Sequence, residues 1–203
     1  MKLSCSPVDI PWYTFLYKGL IYLEKYPLFE TERLVLRQIT MENVDFLYEL
    51  YTSDDVLKYF GMSPIQSKDV VVSMVENYEK QLDLGGPMRF AIVEKQTDKM
   101  IGTCGFHGIS KAYKRCEIGY DLIPDQWGKG IMGEALSPLL NYLFMDKGMN
   151  RIGAVIVPYN KASSRVVEKL GFKQEGLLRD YILQGDHAYD AYMYSLLKKE
   201  WLE

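Results

Sequence analysis

Histidine and cysteine are scarce in this chain of 203 residues: it holds two histidines, His107 and His187, and three cysteines. Neither type falls into a Cys/His spacing pattern, so no metal site is expected. Cys5, Cys104 and Cys116 cannot all pair within one chain; the latter two sit in strand-like runs, and free, buried thiols in a reducing cytoplasm are the expected state. Also missing is any run near the ~20 apolar residues that a membrane span needs. Met1 to Cys5 is too short for a secretory h-region, so a cytoplasmic protein with no membrane partner is expected. A Lys/Arg block is absent as well, and the formal net charge is -3, which argues against a nucleic-acid surface. Repeats, linkers and low-complexity segments are lacking.

What is present is 48% hydrophobic and 25% charged, the balance of a globular chain with one sizeable core. The stretch Gln126-Trp127-Gly128-Lys129-Gly130-Ile131-Met132-Gly133-Glu134-Ala135 organises it. It follows a strand-like run, Glu117 to Ile123, and opens a helix-like run, Glu134 to Met145. Glycines leave backbone N–H groups uncovered, and at the positive end of a helix such groups suit phosphate oxygens. The plain alternative is a tight turn. The stretch also fits G-x-G-x-x-G, but a dinucleotide site needs an acid at the end of the next strand. That strand-like run, Arg151 to Val157, ends in Pro158-Tyr159-Asn160, and too little chain follows for a doubly wound sheet.

In chain order, residues 1 to 29 stand apart as a helical extension. Trp12, Phe15, Leu16, Leu20 and Leu23 recur at helical spacing, as for a helix packed on its own domain or on a homodimer mate. Lys18, Glu24 and Lys25 give no basic bias for a membrane surface. Thr31 to Ile39 alternates as a strand. Asn43 to Tyr51 and Ser53 to Phe60 read as short helices, and Ser67 caps a longer one through Leu84. Arg89 to Glu94, Met100 to Gly108 and Arg115 to Ile123 read as strands in a meander. After the Gly-rich turn come helix, strand, helix (Ser163 to Leu170) and a hairpin, Phe172 to Leu183 and Ala188 to Leu197. The class is α+β, with a mixed sheet of about seven strands.

That element order, with Thr31-Glu32-Arg33-Leu34-Val35-Leu36-Arg37, Glu117-Ile118-Gly119-Tyr120, Trp127-Gly128-Lys129-Gly130 and Asn160-Lys161-Ala162-Ser163, resembles the GNAT superfamily of acyl-CoA N-acyltransferases. The resemblance covers about residues 30 to 203. It is strongest to the branch that acetylates N-termini of ribosomal proteins, the RimJ/RimL type. It implies a mostly antiparallel seven-stranded sheet with helices on both faces and with strands four and five splayed. It further implies acetyl-CoA as cosubstrate and a primary amine as acceptor. The turn, Trp127, Gly128, Lys129, Gly130, Ile131, Met132 and Gly133, would hold the pyrophosphate. Pantetheine would lie in the splay against Tyr120, Leu122 and Ile123, on a strand that carries a bulge. Met132 replaces the family's small residue, so its side chain must point away from the phosphates.

Acetyl transfer to an amine needs a base, an oxyanion donor and a tolerable leaving thiolate. Glu117 is the first candidate base, against a plain reading as a solvated strand-end charge; Asp121 and Asp180 are weaker ones. Backbone N–H near Leu122 suits the oxyanion. Many relatives carry a tyrosine acid where this chain has Val167. Ser163 stands where the branch has a serine facing the sulfur; otherwise it is a first-turn residue. Asn160 either holds a water or the pantetheine amide, or caps the helix. His107 reads more readily as a loop histidine than as a base. Tyr59 and Phe60 fall where the family's helix pair borders the acceptor groove. The expected function is N-acetylation of a peptide N-terminal α-amine. A small-molecule amine and a non-catalytic acyl-CoA-binding module are the alternatives.

Overall fold

The computed structural model describes residues 26–60, 64–83 and 86–203. The expected helix around Trp12 to Leu23 and Cys5 lie outside the described residues. Strands β1 (Phe29–Glu30) and β2 (Leu34–Gln38) precede three helices, α1 (Val44–Leu50), α2 (Asp54–Phe60) and α3 (Lys68–Asp83). A meander follows: β3 (Met88–Glu94), β4 (Lys99–Ser110) and β5 (Arg115–Leu122). Then come α4 (Ile131–Met145), β6 (Arg151–Ile156), α5 (Lys161–Lys169), β7 (Lys173–Gln184), β8 (His187–Leu197) and α6 (Lys198–Trp201).

The strands form one sheet in the order β1-β2-β3-β4-β5-β6-β8-β7. Every neighbouring pair is antiparallel except β5 and β6. Among the described residues the sheet has eight strands where seven were expected. The extra one is β1, which pairs Phe29 with Leu36 and Glu30 with Val35 and so straddles the boundary drawn at residue 29. The splayed pair is therefore the fifth and sixth strand.

Alternation in β3 shows how the sheet divides its residues. Phe90 and Ile92 face one core with Leu34, Leu36 and the leucines of α4. Ala91 and Val93 face a second core with Leu47, Leu50, Val71 and Val75 of α1 and α3. Helices thus cover both faces. Leu136, Leu139, Leu140 and Leu143 of α4 are fully buried, each contributing about 1.5–3 kcal/mol. That packing fixes α4, and with it the glycine turn at its N-terminus.

β5 and β6 pair only at Arg115↔Arg151, Cys116↔Ile152 and Glu117↔Gly153. Beyond Glu117 the two strands part. Ile118 to Leu122 stay with β4, and Ala154 to Ile156 stay with β8. The ladder between β4 and β5 runs unbroken from Gly102↔Leu122 to His107↔Glu117 and shifts register only between His107 and Ser110. The bulge expected beside the turn lies instead at the closed end of the splay.

Candidate active site

A cleft of about 960 Å³ occupies the splay and extends to α2 and α5. This is the upper end of the usual range for small-molecule sites, about 300–1,000 Å³. Its walls include Glu117, Tyr120, Leu122, Trp127, Gly128, Gly130, Ile131, Met132, Gly133, Asn160 and Ser163. Ile123 and Lys129 are not among the residues that line it.

The backbone explains Ile123. Its N–H donates to Ile101 O of the neighbouring strand at 2.9 Å. Peptide groups alternate in direction along a strand. Those of Leu122 and Tyr120 therefore turn to the splayed edge. The Leu122 carbonyl there accepts a bond from the Trp127 indole at 2.7 Å. Lys129 instead extends outward: its Nζ bonds Gln126 Oε1 at 3.2 Å, and its carbonyl accepts from Arg33 Nη1 at 3.2 Å.

The glycine turn makes one end of the cleft. Gly128 and Gly130 adopt φ of 74° and 76°, a left-handed conformation that costs a side-chain-bearing residue more than glycine. Helix α4 begins at Ile131, three residues earlier than expected, with Gly130 as its N-cap. The amides of Ile131, Met132 and Gly133 are thus first-turn donors, which no intrahelical carbonyl can satisfy. Met132 and Ile131 bury their side chains in the core, so only backbone faces the cleft mouth there. Glu134 clamps this turn to the start of β2. It accepts from Thr31 Oγ1 at 2.5 Å, Arg33 N at 2.9 Å and Arg33 Nε at 2.6 Å. Burial works against its charge, but those bonds prevail and hold its pKa below the usual carboxylate value.

Glu117 makes the other end. It is the last residue of β5 paired with β6, half-buried, and opposite His107 of β4. A Cβ on its β6 partner Gly153 would stand 3.1 Å from Glu117 Cγ. Gly153 thus leaves room for the carboxylate at the fork of the strands. His107 lies in β4 and not in a loop, with its ring exposed to the cleft. Desolvation lowers its pKa, Arg89 adds to this, and Glu117 opposes it.

On the α5 side, Asn160 caps the helix: its Oδ1 accepts from Ser163 N at 3.0 Å. Ser163 is the third residue of α5, and its carbonyl accepts from the Tyr120 hydroxyl at 3.2 Å. This bond spans the splay, and burial raises the Tyr120 pKa, so the hydroxyl stays a donor. Val167 is fully buried in the core.

Asp121 and Asp180 are placed differently. Asp121 forms a buried ion pair with Arg89 and accepts from Thr103 N at 3.0 Å. Asp180 lies in β7 at φ 51° and takes no part in lining the cleft. Sequence reading missed Arg89 and, of an aromatic rim that includes Tyr59 and Trp127, the rings of Tyr159 and Tyr189. Tyr59 stands 6.2 Å from Trp127 and 6.1 Å from Tyr159, and Tyr159 stands 6.4 Å from Tyr189. A lone arginine amid the apolar run of β3 was the available signal for the first.

A splayed parallel pair, a glycine turn capping the following helix, and a carboxylate at the fork define an acyl-CoA-dependent transferase architecture. Residues 33–173 match the acetyltransferase (GNAT) domain model, and the chain belongs to that family of N-acetyltransferases. It is 40% identical over 171 residues to the uncharacterised N-acetyltransferase p20 of Bacillus licheniformis, covering 84% of this chain and 96% of that protein. It is 36% identical over 173 residues to the uncharacterised N-acetyltransferase YoaA of Bacillus subtilis, covering 85% and 98%. A [ribosomal protein uS5]-alanine N-acetyltransferase of Escherichia coli is 28% identical over 131 residues, covering 64% and 66%. Among solved structures, a ribosomal-protein-S5-alanine acetyltransferase from Vibrio fischeri superposes with TM-score 0.75 at 23% identity, over 86% of this chain and 98% of that one. A spermidine N-acetyltransferase from Vibrio cholerae, in complex with CoA and spermine, superposes with TM-score 0.75 at 21% identity, over 85% and 100%. No helix among the described residues is long and apolar enough to cross a membrane.

Proposed function

We propose that this protein transfers the acetyl group of acetyl-CoA directly to the α-amine of a peptide or protein N-terminus. The observation that carries the reading is the parting of β5 and β6 immediately after Glu117, with backbone donors at Gly128 to Gly133 on the far side of the same cleft. The first-turn amides and the helix dipole would hold the pyrophosphate. The outward-turned peptide groups of Tyr120 and Leu122 offer pantetheine a strand edge. Leu122 N–H, on that edge, stands ready for the carbonyl oxygen as it gains negative charge.

Glu117 takes the proton of the attacking amine, directly or through water, as the new C–N bond forms and the C–S bond breaks. The leaving sulfur has thiol-like basicity, with a pKa near about 8.5, so its thiolate needs little help. Ser163 Oγ supplies a hydrogen bond to it, and the sulfur gains its proton from solvent. Asn160 sets Ser163 in place through the cap.

An α-amine suits this modest machinery. Its pKa of about 7.7–8.0 leaves part of it neutral at neutral pH, whereas a lysine at about 10.4 is almost wholly charged. The Escherichia coli relative whose name specifies alanine of a ribosomal protein supports the same class of acceptor. The test offers acetyl-CoA with peptides beginning Ala, Ser or Thr, each containing one internal Lys, and locates the acetyl group by fragmentation mass spectrometry. Acetyl is expected on the terminal nitrogen. Acetyl on Lys, or transfer to polyamines alone, would overturn the acceptor assignment.

A further inference from the structure

The face of the sheet below α1 and α2 carries a row with no bulk between its ends. Arg89 of β3 is paired with Gly105 of β4, and Gly105 with Gly119 of β5. A Cβ at Gly105 would lie 2.2 Å from the Met88 carbonyl, so no side chain fits there. At Gly119 a Cβ would lie 3.3 Å from Arg89 Nη1 and 3.6 Å from His107 Nε2. The two glycines let the Arg89 side chain cross the strands and reach the space above Gly119. Its position there is fixed from behind. Nε donates to Thr103 Oγ1 at 2.7 Å, and Nη2 pairs with Asp121, whose carboxylate also accepts from Thr103 Oγ1 at 2.9 Å. Arg89, His107, Glu117 and Gly119 all line the cleft.

The charges decide what such a place can hold. Asp121 neutralises Arg89, so an anion gains little there, and Glu117 close by would repel one. A guanidinium donates hydrogen bonds and accepts none. The matching group is a neutral acceptor, a carbonyl oxygen. Glu117 and Gly119 point to the same face, two residues apart, which is about 7 Å along a strand. An amine held at Glu117 with its own carbonyl over Gly119 spans that distance through the N–Cα–C–O unit and a hydrogen bond at each end.

We propose that Arg89 Nη1 and His107 Nε2 form a carbonyl site over Gly119 that receives the first peptide carbonyl of the acceptor. The cleft then prefers amines that bear a carbonyl one carbon away over plain polyamines. This rests on the α-amine reading and gives it a structural cause. Desolvation lowers the His107 pKa, which keeps the imidazole neutral at neutral pH; its Nε2–H tautomer adds the second donor.

The test compares an Ala-initiated peptide with its analogue in which the first carbonyl is reduced to methylene. Wild type, His107→Ala and Gly119→Ala are assayed on both, with acetyl-CoA affinity measured alongside. The two amines differ in basicity, but that difference cancels in each variant-to-wild-type ratio. His107→Ala should lower kcat/KM for the peptide about tenfold. Gly119→Ala, which intrudes on both donors, should lower it about ten- to a hundredfold, the worth of a hydrogen bond to a charged donor. Both losses should fall mainly on KM. Each variant should lose at least about fivefold more on the peptide than on the reduced analogue, since no carbonyl hydrogen bond is at stake in the analogue. Equal losses on both substrates, or none, would overturn the carbonyl site and leave the α-amine reading in place. Acetylation of simple amines and of no peptide would remove that reading, and this site with it. Should Gly119→Ala fail to fold, His107→Ala, at an exposed position, decides alone.

Discussion

Two carboxylates on one strand face, Glu117 and Asp121, were both candidate bases from sequence, and their partners separate them. Asp121 has a side chain 1% exposed and is locked to Arg89, 32 residues away in the chain. Truncating one member of a buried pair strands the other, at about 3–5 kcal/mol, so Asp121 belongs to the scaffold of the cleft. Glu117 stands at the fork, half-buried and facing the cleft. Glu117→Gln keeps the shape and removes the proposed base. It should lower kcat by about 10²–10⁴-fold while acetyl-CoA affinity holds. The loss should shrink as pH rises past the α-amine pKa of about 7.7–8.0, because the acceptor then sheds its proton unaided. Steady-state rates across that pH range check it, and a loss under about tenfold would assign the proton transfer to water. The position of Glu117 on its strand was legible because it needs no partner from afar. Arg89 was not, because its meaning depends on Gly105 and Gly119 lying beside it in other strands.

Helix α4 and the turn before it act as one element. The turn supplies amides, and the four buried leucines keep those amides where they are. Gly130→Asp tests the pair. Position 130 is left-handed, a conformation aspartate tolerates better than most residues, and the leucine core is untouched, so the fold should survive. A carboxylate among the amides would repel phosphates, and acetyl-CoA binding should be lost in a calorimetric titration of the folded variant. Affinity equal to wild type would sink the pyrophosphate assignment. Elements of this length announce themselves in sequence through periodicity. The first turn of α4 was still hidden, because glycines there read as loop while Ile131 and Met132 were already packing inward. β1 and α6, of two and four residues, are too short to show a period. They exist through neighbours: Phe29 tilts against Phe90 at 5.3 Å, and Trp201 against Phe144 at 6.2 Å.

At the scale of the whole molecule, the cleft spans several elements. One end lies at the glycine turn, and the other reaches Val56 and Tyr59 of α2 and Tyr159, whose ring stands 6.4 Å from that of Tyr189. The proposed direct transfer requires donor and acceptor in this cleft together, with Glu117 between them. The alternative is an enzyme that carries the acetyl group covalently between half-reactions, which needs an accessible nucleophile. Among the described residues the cysteines are Cys104 and Cys116; both are buried, outside the cleft lining, and burial pushes both thiols up to about 12. Almost no thiolate exists at neutral pH in either case, and thiolate is the reactive form. Initial rates measured over a grid of acetyl-CoA and peptide concentrations should therefore give intersecting double-reciprocal lines, the pattern of a ternary complex. Parallel lines, together with an acetylated protein detected by intact-mass spectrometry before acceptor is added, would show a covalent carrier and overturn direct transfer.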